Sequence, residues 1–215
     1  MCPDELNDKR RQMVLHQLRR RGIHDENVLT VMEHIPRECF IPPQNQHDAY
    51  EDRPVLIGLG QTISQPYMVA YMTEQLQLEP HHSVLEIGTG CGYQTAILAR
   101  LARKVCTIEI LAELAPWGRQ NLANLEIENI EFHTGDGWLG WPQPKEFDRI
   151  LLTAACEVVP PKLMEQLTGD GRLIAPVGQN DHHRLMLFEK RQNKIKETFL
   201  CHCTFVKMVH GEKIN

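Results

Sequence analysis

Apolar residues change their spacing near residue 80. Before that point Val28, Val31, Met32 and Ile35 recur three and four positions apart, the period of one helix face. Asp25 stands where an N-cap belongs, and Pro36 stands where the helix must stop. Met68, Val69, Met72 and Leu76 mark a second helix, from about residue 66 to 76. Pro66 suits its first turn, where a missing N–H costs nothing. Between the two lies a loop, "IPPQNQHDAYEDRP", and then the uncharged stretch "GLGQTISQP". The first 80 residues thus read as helices and loops.

From residue 83 short apolar runs alternate with helical periods. "SVLEIG", "KVCTIEI", "IEFHTGD", "FDRILLTAA" and "GRLIAPVG" read as strands, and the fourth, being wholly apolar at its end, as a central one. "YQTAILARLA", "LAELAPWGRQNLANL" and "PPKLMEQLTG" read as helices, with Pro116 a kink or a late start in the second. Two strands, "HRLMLFEKR" and "KETFLCHCTFVKM", follow with no helix between them and form an antiparallel edge hairpin. The pattern predicts an α/β fold: a doubly wound, mostly parallel, Rossmann-like sheet of about seven strands, carrying an N-terminal helical extension. One domain is expected over residues 1–215, with a helical part to residue 80 and an α/β core over 81–215.

Composition narrows the classes of function. Hydrophobic residues make up 42% and charged residues 24%, which is ordinary for a globular chain of 215 residues. A net charge of -5 argues against a nucleic-acid binder, whose footprint is basic. The basic cluster Lys9, Arg10, Arg11, Arg19, Arg20 and Arg21 reads as a solvated helix face. No apolar run approaches the ~20 residues of a membrane span, and the charged N-terminus carries no signal-peptide core. A cytoplasmic protein without a membrane partner is expected. Seven scattered cysteines (Cys2, Cys39, Cys91, Cys106, Cys156, Cys201 and Cys203) then stay reduced. Cys201, His202 and Cys203 do not make a metal site, because in a strand His202 points away from its neighbours.

The most specific local signal is Glu86-Ile87-Gly88-Thr89-Gly90-Cys91-Gly92, which leaves a predicted strand and opens a predicted helix. Glycines there let backbone pass close to a ligand. The spacing is GxGxG and not the GxGxxG of dinucleotide enzymes. Glu109 ends the next strand, about where an acid accepts hydrogen bonds from ribose hydroxyls. Asp136, followed by Gly137, ends the third. Gly88, Gly90, Glu109 and Asp136 would converge at the carboxyl ends of three adjacent strands. The set resembles the S-adenosylmethionine-dependent methyltransferases. That resemblance implies that the loop (Gly88, Thr89, Gly90) passes the methionine part, that Glu109 holds the ribose, and that Asp136 and Gly137 lie by the adenine. Glu86 is expected to favour a cationic cofactor, since a carboxylate before the loop would repel a pyrophosphate.

Five further segments, "DRPVLIGLGQTISQPYMVAYM", "VLEIGTGCGYQTAILA", "GDGWLGWP", "FDRILLTAA" and "GRLIAPVG", are together similar to the protein-L-isoaspartate (D-aspartate) O-methyltransferase family, over about residues 11 to 179. The family implies methyl transfer from S-adenosylmethionine to the free α-carboxylate of L-isoaspartyl residues in damaged proteins and peptides. The ester closes to a succinimide whose hydrolysis returns some normal aspartate. It also implies Ser64 as the active-site serine, with Gln61, Thr62 and Ile63 on the substrate side. The composition of this stretch suits the reaction. A carboxylate with a pKa near ~4 is already ionised and needs aim, not a base. Uncharged donors supply aim without repelling a cationic cofactor. Capping of the helix entering at Pro66 is the competing role for Ser64.

Two positions depart from the family pattern. Cys91 stands where serine is usual, and Lys207 replaces the proline of a C-terminal "FVPL"-like strand. The first leaves cofactor binding intact, while the second bears on the peptide groove. A monomer is expected. Two alternatives stand beside the favoured reading: a related methyltransferase acting on another acceptor, and a cofactor-binding adaptor without repair activity. A nicotinamide oxidoreductase is disfavoured by the loop spacing and by Glu86.

Overall fold

A computed structural model describes residues 3–192 and 194–211. Seven strands form one sheet: β3 (Ser83–Ile87), β4 (Lys104–Glu109), β5 (Ile130–Thr134), β6 (Phe147–Leu152), β7 (Leu167–Gln179), β8 (His182–Arg191) and β9 (Lys194–Cys203). Their spatial order is β5-β4-β3-β6-β7-β8-β9. The first five run parallel, and β8 and β9 return antiparallel at the edge. The chain winds outward from β3 through β4 to β5, then crosses back to place β6 on the other side of β3. Winding therefore reverses between β3 and β6, and the crevice beyond their carboxyl ends is where such sheets bind ligands.

Side-chain alternation along β3 sets the two layers. Leu85 and Ile87 join Ile108, Ile150 and Leu173 on one face, closed by Trp141, Phe147 and Leu163. Val84 joins Val105, Leu151 and Ile174 on the other, closed by α3 (Pro66–Leu76) and α4 (Tyr93–Leu101) through Met72, Leu76 and Leu98. The N-terminal part adds α1 (Pro3–Gln12), a π-helical turn (Met13–Leu18) and α2 (Glu26–His34), and packs onto Tyr93, Ala96 and Ile97 of α4. The Asp25 carboxylate caps α2, accepting from the amides of Asn27 (2.9 Å) and Val28 (3.2 Å). Pro116 lies in the first turn of α5 (Ala115–Ala123), so the helix starts late and does not kink.

Several sequence expectations need correction. The glycine-flanked stretch is not a plain loop. β1 (Val55–Gly58) and β2 (Gln61–Ile63) form a hairpin turned by Leu59 (φ 51°) and Gly60 (φ 70°), two positive-φ residues as a twist-matched two-residue turn requires. The predicted 160–169 helix is only α6 (Pro161–Glu165), because Leu167 already pairs with Phe147 in the sheet. The last strand stops at Cys203, and the chain beyond it leaves the sheet edge. The N-terminal basic cluster is not simply solvated: Arg10 lies near Glu38 (3.8 Å) with little exposure, and Arg21 stacks on Tyr67 (3.8 Å to the centroid). All six cysteines of the described residues are free, and Cys2 lies outside them. Among the described residues no helix is long and apolar enough to cross a membrane.

Candidate active site

The turn after β3 passes over β6. Gly88 has φ 98°, and a Cβ placed there would stand 2.3 Å from Thr153 Oγ1. Only glycine fits, and Thr153 uses the closeness: its hydroxyl lies 2.8 Å from the Gly88 carbonyl and 3.0 Å from that of Ile87. Across the turn the buried carboxylate of Glu109 accepts from the amides of Gly90 (2.7 Å) and Leu111 (3.0 Å). Each oxygen keeps lone-pair capacity toward the cleft, as a ribose diol requires. Gly88, Thr89, Gly90, Glu109 and Gly137 all line one cleft. Ile108, Ile110, Leu111 and Leu114 give it an apolar wall. The apolar wall and a few convergent polar groups fit a nucleoside-bearing cofactor.

Thr89 contributes its backbone to the cleft, because its hydroxyl is spent elsewhere. It lies 2.7 Å from Thr107 Oγ1. Thr107 donates to Glu86 Oε2 at 2.7 Å, and Thr95 donates to the same oxygen at 2.5 Å. Glu86 ends this chain of hydroxyls and does not line the cleft. Alternation puts it on the α4 face with Val84, fully buried. Burial pushes its carboxyl up to about 8, against the opposing pull of the two threonine hydroxyls. Burial thus favours the protonated form of Glu86, and the side chain expected at the cofactor lies beneath the loop and not in the cleft. Its role here is to brace the loop from below. Asp136 is a second adjustment. Its carboxylate caps the turn Gly137–Leu139 through Trp138 N (2.8 Å) and accepts from Gly211 N (2.9 Å). It is Gly137 that lines the cleft.

The hairpin supplies the other side. Gln61, Thr62, Ile63 and Ser64 border the cleft, and Gln61, Thr62 and Ser64 also border a second cavity with about 1510 Å³ of unfilled space. Thr153 and the C-terminal segment Val206–Lys207 border both. The two spaces thus meet at Ser64 and Thr153. Ser64 does not cap α3: the N-cap is Gln65, and no side chain accepts from that helix start. Gln65 instead donates to the Asp52 carbonyl at 3.0 Å. The Ser64 backbone is held from beneath by Arg37, which is fully buried and donates to the carbonyls of Ser64 (2.7 Å) and Ala49 (2.8 Å). The same guanidinium lies over the Tyr93 ring, 4.9 Å from its centroid, at the first residue of α4. The tail is tied down by Ala155, whose amide donates to Val206 (2.8 Å) and whose carbonyl accepts from Met208 (2.7 Å). Further on, the His210 and Trp138 rings stack at 4.3 Å.

Arg37, Thr153 and the tail escaped the sequence reading. Arg37 looks like any surface arginine in "IPREC", and nothing local marks it as buried. Thr153 had a usable signal, a hydroxyl directly after an apolar strand in the sheet position next to the glycine loop. Cys91 lines the cleft and is buried, with its thiol pushed up to about 11 by burial, so it serves as a small apolar wall residue.

A parallel sheet reversing at β3/β6, a glycine turn facing Glu109 across one cleft and an antiparallel edge define a Rossmann-like methyltransferase. The profile of the Protein-L-isoaspartate(D-aspartate) O-methyltransferase family matches residues 9–213, further toward the C-terminus than the resembling segments reach. The chain belongs to that family. It is 46% identical to protein-L-isoaspartate O-methyltransferase of Methanoculleus marisnigri, over 97% of this chain and 95% of that one. It is 47% identical to the Yersinia enterocolitica enzyme of the same name, over 95% and 98%. Among solved structures, a protein-L-isoaspartate O-methyltransferase superposes with a TM-score of 0.85 at 28% identity, covering 94% of this chain and 66% of the other. A Plasmodium falciparum protein described as a putative member, in complex with S-adenosyl-L-homocysteine, gives 0.80 at 26%, covering 92% and 97%.

Proposed function

We propose that Ser64, with Gln61, Thr62 and Ile63, holds the acceptor carboxylate at the junction of the two cavities. On the same reading Glu109, the backbone of Gly88, Thr89 and Gly90, and Gly137 hold the cofactor. The chain is an S-adenosylmethionine-dependent protein carboxyl O-methyltransferase. It methylates the α-carboxylate of L-isoaspartyl residues and so starts protein repair. The observation that carries the assignment of roles is the meeting of the cleft under the glycine turn and Glu109 with a hydroxyl- and amide-lined groove at Ser64.

Bound in the cleft, S-adenosylmethionine supplies an electrophilic methyl group on a positive sulfur. The protein's own work is orientation and removal of water. An acceptor with a pKa near ~4 arrives ionised, so no residue has to take a proton from it. Orientation of this kind is worth up to ~7–11 kcal/mol in favourable cases. Hydroxyl and amide donors can fix the carboxylate without neutralising the lone pair that attacks. The hairpin presents these donors from a short strand pair, a stiffer mount than an open loop. Glu109 fixes the ribose end, and the apolar wall excludes water from the adenosine. With a net charge of -5 and no partner-binding motif, the protein is read as a cytoplasmic monomer without nucleic-acid or membrane partners.

Two peptides differing only in an Asp or isoAsp linkage test the reading. Incubation with methyl-labelled cofactor should label the isoAsp peptide alone. Equal labelling of both, or of neither, overturns it.

A further inference from the structure

Lys207 sits where the reaction gives least reason for a cation. It borders both the cofactor cleft and the substrate groove, and it is the one lysine or arginine among the described residues lining either. The bonds made by its neighbours to Ala155 pin its backbone there. Its side chain is exposed, and its ammonium pairs with no carboxylate among the described residues. Four lysines elsewhere form ion pairs, Lys104 and Lys145 with Glu131, Lys162 with Glu165, and Lys196 with Glu189, whereas Lys194, also unpaired among the described residues, lies on the edge strand away from both cavities.

A free ammonium beside a sulfonium site repels the cofactor. It would also dull the reacting carboxylate if the two paired tightly, which is why the cradle at Ser64 is built of neutral donors. The partner of Lys207 is then a second anion on the substrate. An isoaspartyl residue offers none, because its side-chain carboxyl is consumed in the peptide link and its α-carboxylate is the acceptor. On the peptide a second negative charge comes from a neighbouring residue; the carboxylate of the cofactor's methionine part is the competing anion, and a flanking-charge preference that Lys207→Glu inverts would not arise from pairing with it.

We infer that Lys207 is a specificity residue that selects isoaspartyl peptides carrying an acidic residue next to the damaged site. This rests on the proposed function and deepens it. The ammonium stands in solvent at the mouth of the groove, so its effect is that of an exposed ion pair: about fivefold in rate per encounter, and weakened by salt.

The test uses neutral isoAsp peptides with a single Glu, Gln or Lys on one side of the isoAsp or the other, each with an Asp-linked control. Wild type should favour Glu over Lys by about fivefold in kcat/KM on one side at low salt, and less at high salt. Lys207→Met should reduce that ratio to below about twofold, and Lys207→Glu should invert it. A structural role alone would not reverse a charge preference. Methylation of isoAsp peptides with no flanking-charge preference, or with one that survives Lys207→Glu, overturns the inference and leaves the function standing. Failure to methylate any isoAsp peptide overturns both.

Discussion

The guanidinium of Arg37 donates a 2.7 Å hydrogen bond to the backbone carbonyl of Ser64. The stretch ending at Ser64 is thereby fixed from below by a buried cation, which also lies over Tyr93 at the start of α4. One side chain links the acceptor side to the helix that follows the glycine turn. Arg37→Met would leave the Ser64 and Ala49 carbonyls without their donor, at about 1–3 kcal/mol each, offset by removing a buried charge. The expected outcome is a kcat/KM at least about tenfold lower, with S-adenosylhomocysteine affinity within about threefold of wild type. Steady-state kinetics and calorimetry on the same preparation check it. Full activity in the variant would mean that the stretch needs no anchor.

Gly88→Ala tests the cleft floor. The added methyl meets Thr153 Oγ1 at 2.3 Å in a backbone conformation (φ 98°) that alanine resists. The turn must shift, at a cost of about 1–3 kcal/mol. Cofactor affinity should fall about tenfold or more, and the melting temperature by several degrees. The double variant Gly88→Ala/Thr153→Ala removes the collision but not the φ strain, so it should recover only part of the loss. Full recovery would show that backbone strain has no share in it.

Glu86 makes stability depend on pH. Its folded carboxyl titrates at about 8, well above the ordinary carboxylate range. A raised value means that the folded state binds the proton more tightly, so the contribution is complete below about 4.3, the unfolded value, and is lost as pH rises through about 8. Wild type should therefore lose stability relative to Glu86→Gln between pH 5 and pH 8, with a melting-temperature difference that drifts by more than about 3 °C. Thermal melts of both proteins across that window check this. Parallel curves would mean that Glu86 is ionised when buried.

The sheet was legible because parallel strands covered on both faces leave unbroken apolar runs, and because Gly88, Glu109 and Asp136 each mark a strand's carboxyl end. What escaped detection lay in long-range contacts. Arg37 reaches Ser64 across 27 positions, and no local pattern reports that. The β1–β2 hairpin was hidden by strands of four and three residues and by a leucine in the positive-φ turn. Glu86 was identified from its place beside the glycines, but strand alternation, which turns it to the buried α4 face and raises its carboxyl, was not applied to it. The last strand was drawn five residues too long because "TFVKM" continues its alternation, whereas Ala155 draws those residues across the site.

On the proposed reading Ser64 aims the acceptor and does not hold the cofactor. Ser64→Ala separates the two most directly, with kcat on an isoaspartyl peptide and the Kd for S-adenosylhomocysteine measured side by side. The account predicts a fall in kcat of about 10²-fold, comparable to losing one preorganised donor, with Kd changed by less than about threefold. Wild-type turnover in the variant, or a cofactor affinity that falls as far as the rate, would contradict it.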